Sequence, residues 1–421
     1  MKAAIKDVKA REILSTSAQP TIETVVTLED GTVGVASVPY GTSAGKYEAV
    51  TLVDGDPRRY KGKGMLKAVK NVNEVITPKV KGLDALDQQA LDKHLVGLDP
   101  SPQRKDIGGN CILSVSLASA RAAALSKDIP LYRHIRDSFG LKYDSYVLPR
   151  PMVVVIEGGR HADNSTDLQE YLVGVTKDRG GRENVRATME VYMYLKGVLK
   201  AQGYNTNVGT EGAYAPTAIK SNEEPLIHIE QAMKDAGYTP GEDLGIAMDP
   251  AASEFYEEGG TYNLARDGKK VSSEEMIAYY SSLVDRYSIY SIEDGLSEDD
   301  WNAWPVMNEK LGGRITVMGD DLTVTNVERL QKAIDLKAIN AILIKPNQVG
   351  TLSETVSAIQ LAQANGLSIT VSHRGGGETT DTLIIDLAVA TNAQSVKVGP
   401  SRGERVVKYN RLMEIADELG L

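Results

Sequence analysis

The sequence has a single cysteine, Cys111, so no intrachain disulfide can form and a reducing compartment is the expectation. No run approaches the roughly 18 apolar residues of a membrane-spanning helix. The first residues, MKAAIKDVKAREI, hold no apolar segment of secretion-signal type, so a cytoplasmic protein without a membrane span is expected. Basic residues are in the minority, 47 Lys and Arg against 57 Asp and Glu. The net charge of −10 argues against a nucleic-acid partner, because phosphate neutralisation needs a basic face. The one basic run, Arg58–Lys70, reads as a solvated loop-and-helix face, since only Tyr60 adds an aromatic to it. Neither HExxH nor a Cys/His cluster occurs, which disfavours zinc.

What is present is a chain of 421 residues with 42% hydrophobic and 25% charged side chains, enough to bury a large core. That length suits two or three domains, or one large barrel with a smaller companion. The Pro-rich break Leu148–Pro151 divides two patterns. Before it, Thr21–Glu29 and Thr32–Val38 alternate in the strand period around Asp30–Gly31, which predicts a hairpin. Leu66–Val75, Leu86–Leu95 and Asn110–Ser126 carry helical spacing, making an α+β unit. After it, short β-branched runs alternate with capped amphipathic helices, the signature of βα units. Ser272–Glu275 and Thr325–Glu328 predict helix starts, and Thr351–Ala364 a helix closed by Asn365–Gly366. His94, His134 and His228 read as ordinary helix residues, and Trp301 and Trp304 as packing for a helix start.

The residues that end the predicted strands carry the chemistry. In order they are Asp249, Glu293, Asp320, Lys345, His373 and Lys397, spaced by 44, 27, 25, 28 and 24 residues. Four of these gaps suit one strand plus one helix, the repeat of a parallel barrel, whose active site forms at the C-terminal strand ends. A single acid there is ordinarily a cap or turn residue. Three converging in one mouth would repel each other, so Asp249, Glu293 and Asp320 form an all-oxygen site for a hard dication, most plausibly Mg2+. Lys345 and Lys397 share that rim. A lysine near a metal and another cation has its pKa depressed and can act as a general base; the alternative is that both pair with the carboxylates. His373–Arg374 and Gly375–Gly377 supply cationic donors and N–H groups for an anion. The sum suits a small substrate bearing carboxylate and phosphate.

At these residues the chain closely resembles the enolase family. Ile342–Thr355 (ILIKPNQVGTLSET) is similar to the family's lysine-bearing motif. Ser291–Leu296 (SIEDGL), Gly319–Asn326 (GDDLTVTN), Asp249–Tyr256 (DPAASEFY) and Ser372–Arg374 (SHR) follow in the family's order, as do Asp54–Val75 and Ser114–Ala124 in the first half. The resemblance implies an α/β architecture: an N-terminal α+β capping domain over residues 1–137 and a (β/α)8-type TIM barrel of ββαα(βα)6 connectivity over 138–421. It further implies a homodimer or larger symmetric homo-oligomer and Mg2+-dependent dehydration of 2-phosphoglycerate to phosphoenolpyruvate, a step of glycolysis and gluconeogenesis.

Residue by residue, the resemblance makes Lys345 the base at C2 and Glu211 the acid that helps expel the C3 hydroxyl. Glu170 is its partner carboxylate and His161 a loop histidine. Lys397, Arg374, His373, Gln169 and Ser372 would hold substrate. Asp249, Glu293 and Asp320 would hold the tight Mg2+, and Ser43 the second Mg2+ that arrives with substrate.

Several positions depart from the family pattern. Thr210 stands where an Asp precedes the acid, and Ala213 where a glycine follows it; a lost negative charge leaves Glu211 less strongly held in its protonated form. The loop Pro39–Gly45 carries Tyr40, Thr42 and Ala44, and Ser15–Thr21 lacks the family's Asp and Arg. Three glycines follow Arg374, one residue more than the pattern, and the stretch after Lys397 is about one residue shorter. Three readings follow: a divergent working enolase; a paralogue acting on a phosphonate or carboxyphosphono analogue with the same base, acid and metal; and a non-catalytic binding protein that kept the barrel. Retention of Lys345, Glu211 and the acidic trio weighs against the last.

Overall fold

The computed structural model describes residues 3–41 and 45–421, apart from the side chain of Ser17. Strand β1 (Ile5–Leu14) pairs antiparallel with β2 (Pro20–Leu28), which pairs with β3 (Val33–Ser37). The β2–β3 hairpin turns at Asp30–Gly31 as predicted: Gly31 has φ 87° and Asp30 accepts the Thr32 N–H at 2.8 Å. The predicted first helix runs further than expected, as a continuous helical stretch from Leu66 to Val80 with a π-turn over Asn71–Ile76. Helices Gln88–Leu98 and Gly109–Ser126 match the other two expectations within three residues. Gly34 lets β3 lie on the last of these; a Cβ there would come within 2.3 Å of the Ala118 carbonyl oxygen.

The second half opens with β4 (Arg150–Glu157), so the Pro-rich break runs directly into a barrel strand. Pro151 is tolerated because it faces β14 on one side only, the β4–β5 ladder beginning at Met152. Next come β5 (Glu170–Val175), helices Gly181–Ala201 and Glu224–Asp235, and β6 (Leu244–Asp249). A small antiparallel sheet follows: β7 (Tyr256–Glu257), β8 (Thr261–Leu264) and β9 (Lys269–Ser272). This insertion accounts for the 44-residue gap in the strand-end spacing. The remaining strands are β10 (Ile289–Glu293), β11 (Thr316–Gly319), β12 (Ala341–Ile344), β13 (Ser368–Ser372) and β14 (Ser395–Val398), each after a helix. The eight strands close in the order β10-β11-β12-β13-β14-β4-β5-β6, with only β5 antiparallel to its neighbours. This is the ββαα(βα)6 barrel, with the α+β unit packed against it.

Period-two alternation sorts the barrel's side chains. Met152 and Val154 of β4 join Leu172, Ala247, Met318 and Leu343 in the barrel lumen, while Val153 and Val155 pack outward against the helices. Gly174 and Gly245 make room for the Tyr290 ring.

The capping boxes divide. Ser272 and Glu275 form the predicted reciprocal box, and Thr351 caps Leu352–Ala364 by accepting the Glu354 N–H. The box at Thr325–Glu328 does not form: Asn326 is the cap, accepting from Glu328 and Arg329. Thr325, at φ 54°, turns its hydroxyl to the barrel mouth, accepting the Lys345 N–H at 3.0 Å and donating to Gln348 Oε1 at 2.6 Å.

No helix among the described residues is long and apolar enough to cross a membrane. His94 is exposed; His134 and His228 are buried in helices away from the mouth, His228 beside Glu224. Trp304 begins helix Trp304–Leu311 and donates to the Ser297 carbonyl, while Trp301 lies under Lys332 and Arg329.

Candidate active site

The sheet register brings the site together. Glu157 ends β4, and across the antiparallel β5 it pairs with Glu170, which pairs in turn with Asp249 of β6. Glu293 ends β10, Asp320 and Lys345 follow β11 and β12, and Ser372 pairs across the sheet with Lys397. One cavity is lined by Asp249, Asp320, Lys345, Lys397, Arg374 and Gln169, with Glu170, Glu211, His161, Ser372 and His373 completing its wall. Glu293 reaches the same place through Lys397. Ser43, expected at a second metal, lies outside the described residues.

Two lysines answer the crowding of carboxylates. Lys397 Nζ lies 2.8 Å from Asp249, 2.7 Å from Glu293 and 2.9 Å from Glu170. Lys345 pairs directly with Asp320, whose other oxygen accepts the Gln348 amide at 2.8 Å. The direction of the Lys345 shift is therefore opposite to expectation. Burial is the largest influence and opposes its charge, as do Arg374 and Lys397, but the surrounding carboxylates, Asp320 first and then Glu293, together hold the ammonium above its ordinary range. The structure takes the alternative left open by the sequence, in which both lysines pair with the carboxylates, and assigns Asp320 to Lys345.

The remaining negative charge is poorly compensated. Burial, then Asp249, pushes the Glu293 carboxyl well above its ordinary range. Burial and Asp320 do the same to Asp294 and Asp321, which with Asp320 offer oxygens within 4.8 Å of one another. Glu293 Oε1 is buried without a hydrogen-bond partner. An orphaned acceptor among all-oxygen donors fits a hard dication, so the residues present suit Mg2+.

The opposite wall holds Glu211 between two imidazoles. His373 Nε2 is 3.0 Å from one carboxylate oxygen, and His161 Nδ1 is 3.4 Å from the other and 3.2 Å from Glu170. Burial favours the neutral acid, but His373, His161 and Arg405 outweigh it and hold Glu211 well below the ordinary range. His161 is pushed up to about 9: burial works against its charge, and Glu170 and Glu211 override it.

Gly375 makes this packing possible, since a Cβ there would lie 2.1 Å from Glu211 Oε1. Gly377 admits the Tyr40 backbone; its carbonyl accepts the Tyr40 N–H at 2.7 Å, and a Cβ would lie 1.8 Å from the Tyr40 oxygen. Arg374 donates to Glu48 at 2.8 Å, tying the barrel to the loop that precedes the first helix.

Sequence reasoning missed Glu157, Asp294, Asp321 and Glu48. The signal for Glu157 was the one used for the other six: it ends the apolar run Met152–Ile156. Burial and the Glu211 charge push its carboxyl up to about 8.

Two of these shifts predict a pH dependence. Glu157 and His161 both bind a proton more tightly in the folded chain than at their ordinary values of 4.5 and 6.5. Their stabilisation is complete below those values and is lost as pH rises through about 8 and about 9. Glu211, shifted downward, contributes stability that is complete above its ordinary value of 4.5 and is lost only on acidification, so it leaves the window from pH 7 to pH 9 flat. The thermal-unfolding midpoint is therefore expected to fall between pH 7 and pH 9; a flat profile over that window would contradict both shifts.

Residues 145–421 match the family described as Enolase, C-terminal TIM barrel domain, and residues 5–135 the family described as Enolase, N-terminal domain. With both halves matched, and a closed eight-stranded barrel whose mouth gathers acids able to hold a metal, the chain belongs to the enolase family and is an enzyme of lyase type.

Proposed function

We propose that the chain dehydrates 2-phosphoglycerate to phosphoenolpyruvate with Mg2+. The observation that carries this reading is that Lys345 and Glu211 line one cavity together with Asp249, Asp320, Lys397 and Arg374. Asp249, Glu293 and Asp320 would hold the tight Mg2+, and Ser43 would belong to a second site. Bound Mg2+ supplies Lewis-acid stabilisation of the charge that builds on the substrate carboxylate.

The chain's own residues do the rest. Lys345 takes the C2 proton onto Nζ. Asp320 and Glu293, the carboxylates that raise Lys345, are both among the residues that would hold the dication, and charge neutralisation there would leave burial, Arg374 and Lys397 to lower its pKa. Glu211 delivers a proton to the departing C3 hydroxyl, a leaving group that cannot depart unprotonated. His161, itself paired with Glu170, would hold Glu211 from one side and His373 from the other. Lys397, Arg374, Gln169 and Ser372 orient the carboxylate and phosphate; Gln169 Oε1 is buried without a partner, as a substrate-facing group would be. The enzyme works in the cytoplasm as a homodimer or larger symmetric homo-oligomer, which sedimentation velocity tests.

Addition of 2-phosphoglycerate and Mg2+ to the protein is expected to produce the ultraviolet absorbance of the enol product, abolished by a chelator. A specific observation favours a second substrate. Glu211 and His161 pack against Gly375, and the Tyr40 backbone packs on Gly377, so the extra glycine of this loop and Tyr40 would together set the room for a phosphoryl group beside Arg374. Silence with 2-phosphoglycerate and turnover of a phosphonate or carboxyphosphono analogue would install the paralogue reading instead.

A further inference from the structure

Beneath the acid's loop lies a carboxylate that the proposed chemistry does not use. Glu157 is completely buried at the end of β4. Its two oxygens accept the Glu211 N–H at 3.1 Å each, and Oε1 accepts the Ala213 N–H at 2.7 Å. The Thr210 hydroxyl stands 3.4 Å from Oε2. The loop is shaped around it: a Cβ on Gly209 would lie 2.3 Å from Oε2, and Gly212 takes φ 93°. The turn from Gly209 to Ala213 thus wraps a single carboxyl group, and Glu211 is carried on the wrapped segment.

We propose that Glu157 is the positioning residue of Glu211, fixing the backbone of the acid's loop and setting a second carboxyl group behind it. The proposal rests on the reading of Glu211 as the acid. A carboxylate is costly in a buried site unless its lone pairs are filled, and backbone N–H groups fill these. The charges around the pair are few: His161 faces both carboxyl groups, and His373 and Arg405 face Glu211. Burial and mutual repulsion push the two carboxyl groups' proton affinities apart, with Glu157 the more basic.

The test combines kinetics with a substrate-free measurement. Glu157→Gln keeps size and polarity but turns an amide donor toward N–H groups that need acceptors. It is expected to lower kcat on the order of tenfold or more while KM stays within about twofold. Thr210→Asp in the same chain returns a carboxylate to the space beside Oε2 and is expected to recover part of kcat. A single variant with unchanged kcat and pH profile would overturn the proposal, as would a kcat loss that Thr210→Asp does not recover. Because the variant can fail to fold, hydrogen exchange on the unaltered protein provides a second reading: the Glu211 and Ala213 amides are expected to exchange slowly despite lying in a loop, and exchange at unprotected rates would overturn the proposal. That measurement needs no substrate, so it separates failure of this inference from failure of 2-phosphoglycerate as substrate.

Discussion

Lys345→Ala is expected to abolish exchange of the substrate's C2 proton with solvent and to lower kcat on the order of 10²–10⁴-fold, with Mg2+ affinity nearly unchanged. The separation of effects follows from geometry. Lys345 sits on the Asp320 side of the mouth and Lys397 on Asp249 and Glu293, so deleting one ammonium leaves the other with its partners intact. Removing Lys345 also leaves Asp320 its bond from Gln348, so the carboxylate keeps one anchor for the ion. Single-turnover exchange in deuterated water, followed by NMR, measures the first effect and calorimetric Mg2+ titration the second. Retained exchange would remove Lys345 as the base.

Glu293→Gln is expected to have the largest effect on the metal. Glu293 offers one oxygen to Lys397 and keeps the other buried without a hydrogen-bond partner, so it has an acceptor left for an ion. An amide keeps the shape and removes the charge that a hard dication requires. Mg2+ affinity should fall by about 100-fold or more, by analogy with the 10–100-fold losses from outer-shell changes. In the unaltered protein, Mg2+ at a hundred times its Kd stabilises the fold by about 2.7 kcal/mol; in the variant that increment should nearly vanish from thermal melts run with and without chelator. Undiminished Mg2+ stabilisation would show that the ion binds elsewhere, with the group of Asp294, Asp320 and Asp321 the next place to look.

Much of the barrel was legible because its repeat is local. Strand and helix periods, capping residues and strand-end side chains all lie within about 30 residues of one another along the chain, and the expected ends at Asp249 and Glu293 are those of β6 and β10, with Lys397 one residue short of the end of β14. The mistakes were also local choices overridden by distant partners. Thr325 reads as a cap, yet Lys345 and Gln348 claim its hydroxyl from across the mouth. Pro151 is no such case: it stands in the Pro-rich break itself and enters the first barrel strand because only one neighbour needs its backbone. Glu157 went unread because β4 and β5 break the βα rhythm, and the rule was applied only where the rhythm was regular.

The sequence by itself determined the kinds of chemistry available: which acids, lysines and histidines close each strand, and that a barrel would turn those ends to one face. Only the tertiary structure decided the pairing. Lys397 chose Asp249 and Glu293, 148 and 104 residues away, and Lys345 chose Asp320. The reason is physical: barrel closure and the antiparallel β5 set the register that makes neighbours of distant residues. In a buried mouth each charge then takes whichever opposite charge lies within reach. That choice is a property of three-dimensional distance, and no local pattern encodes it.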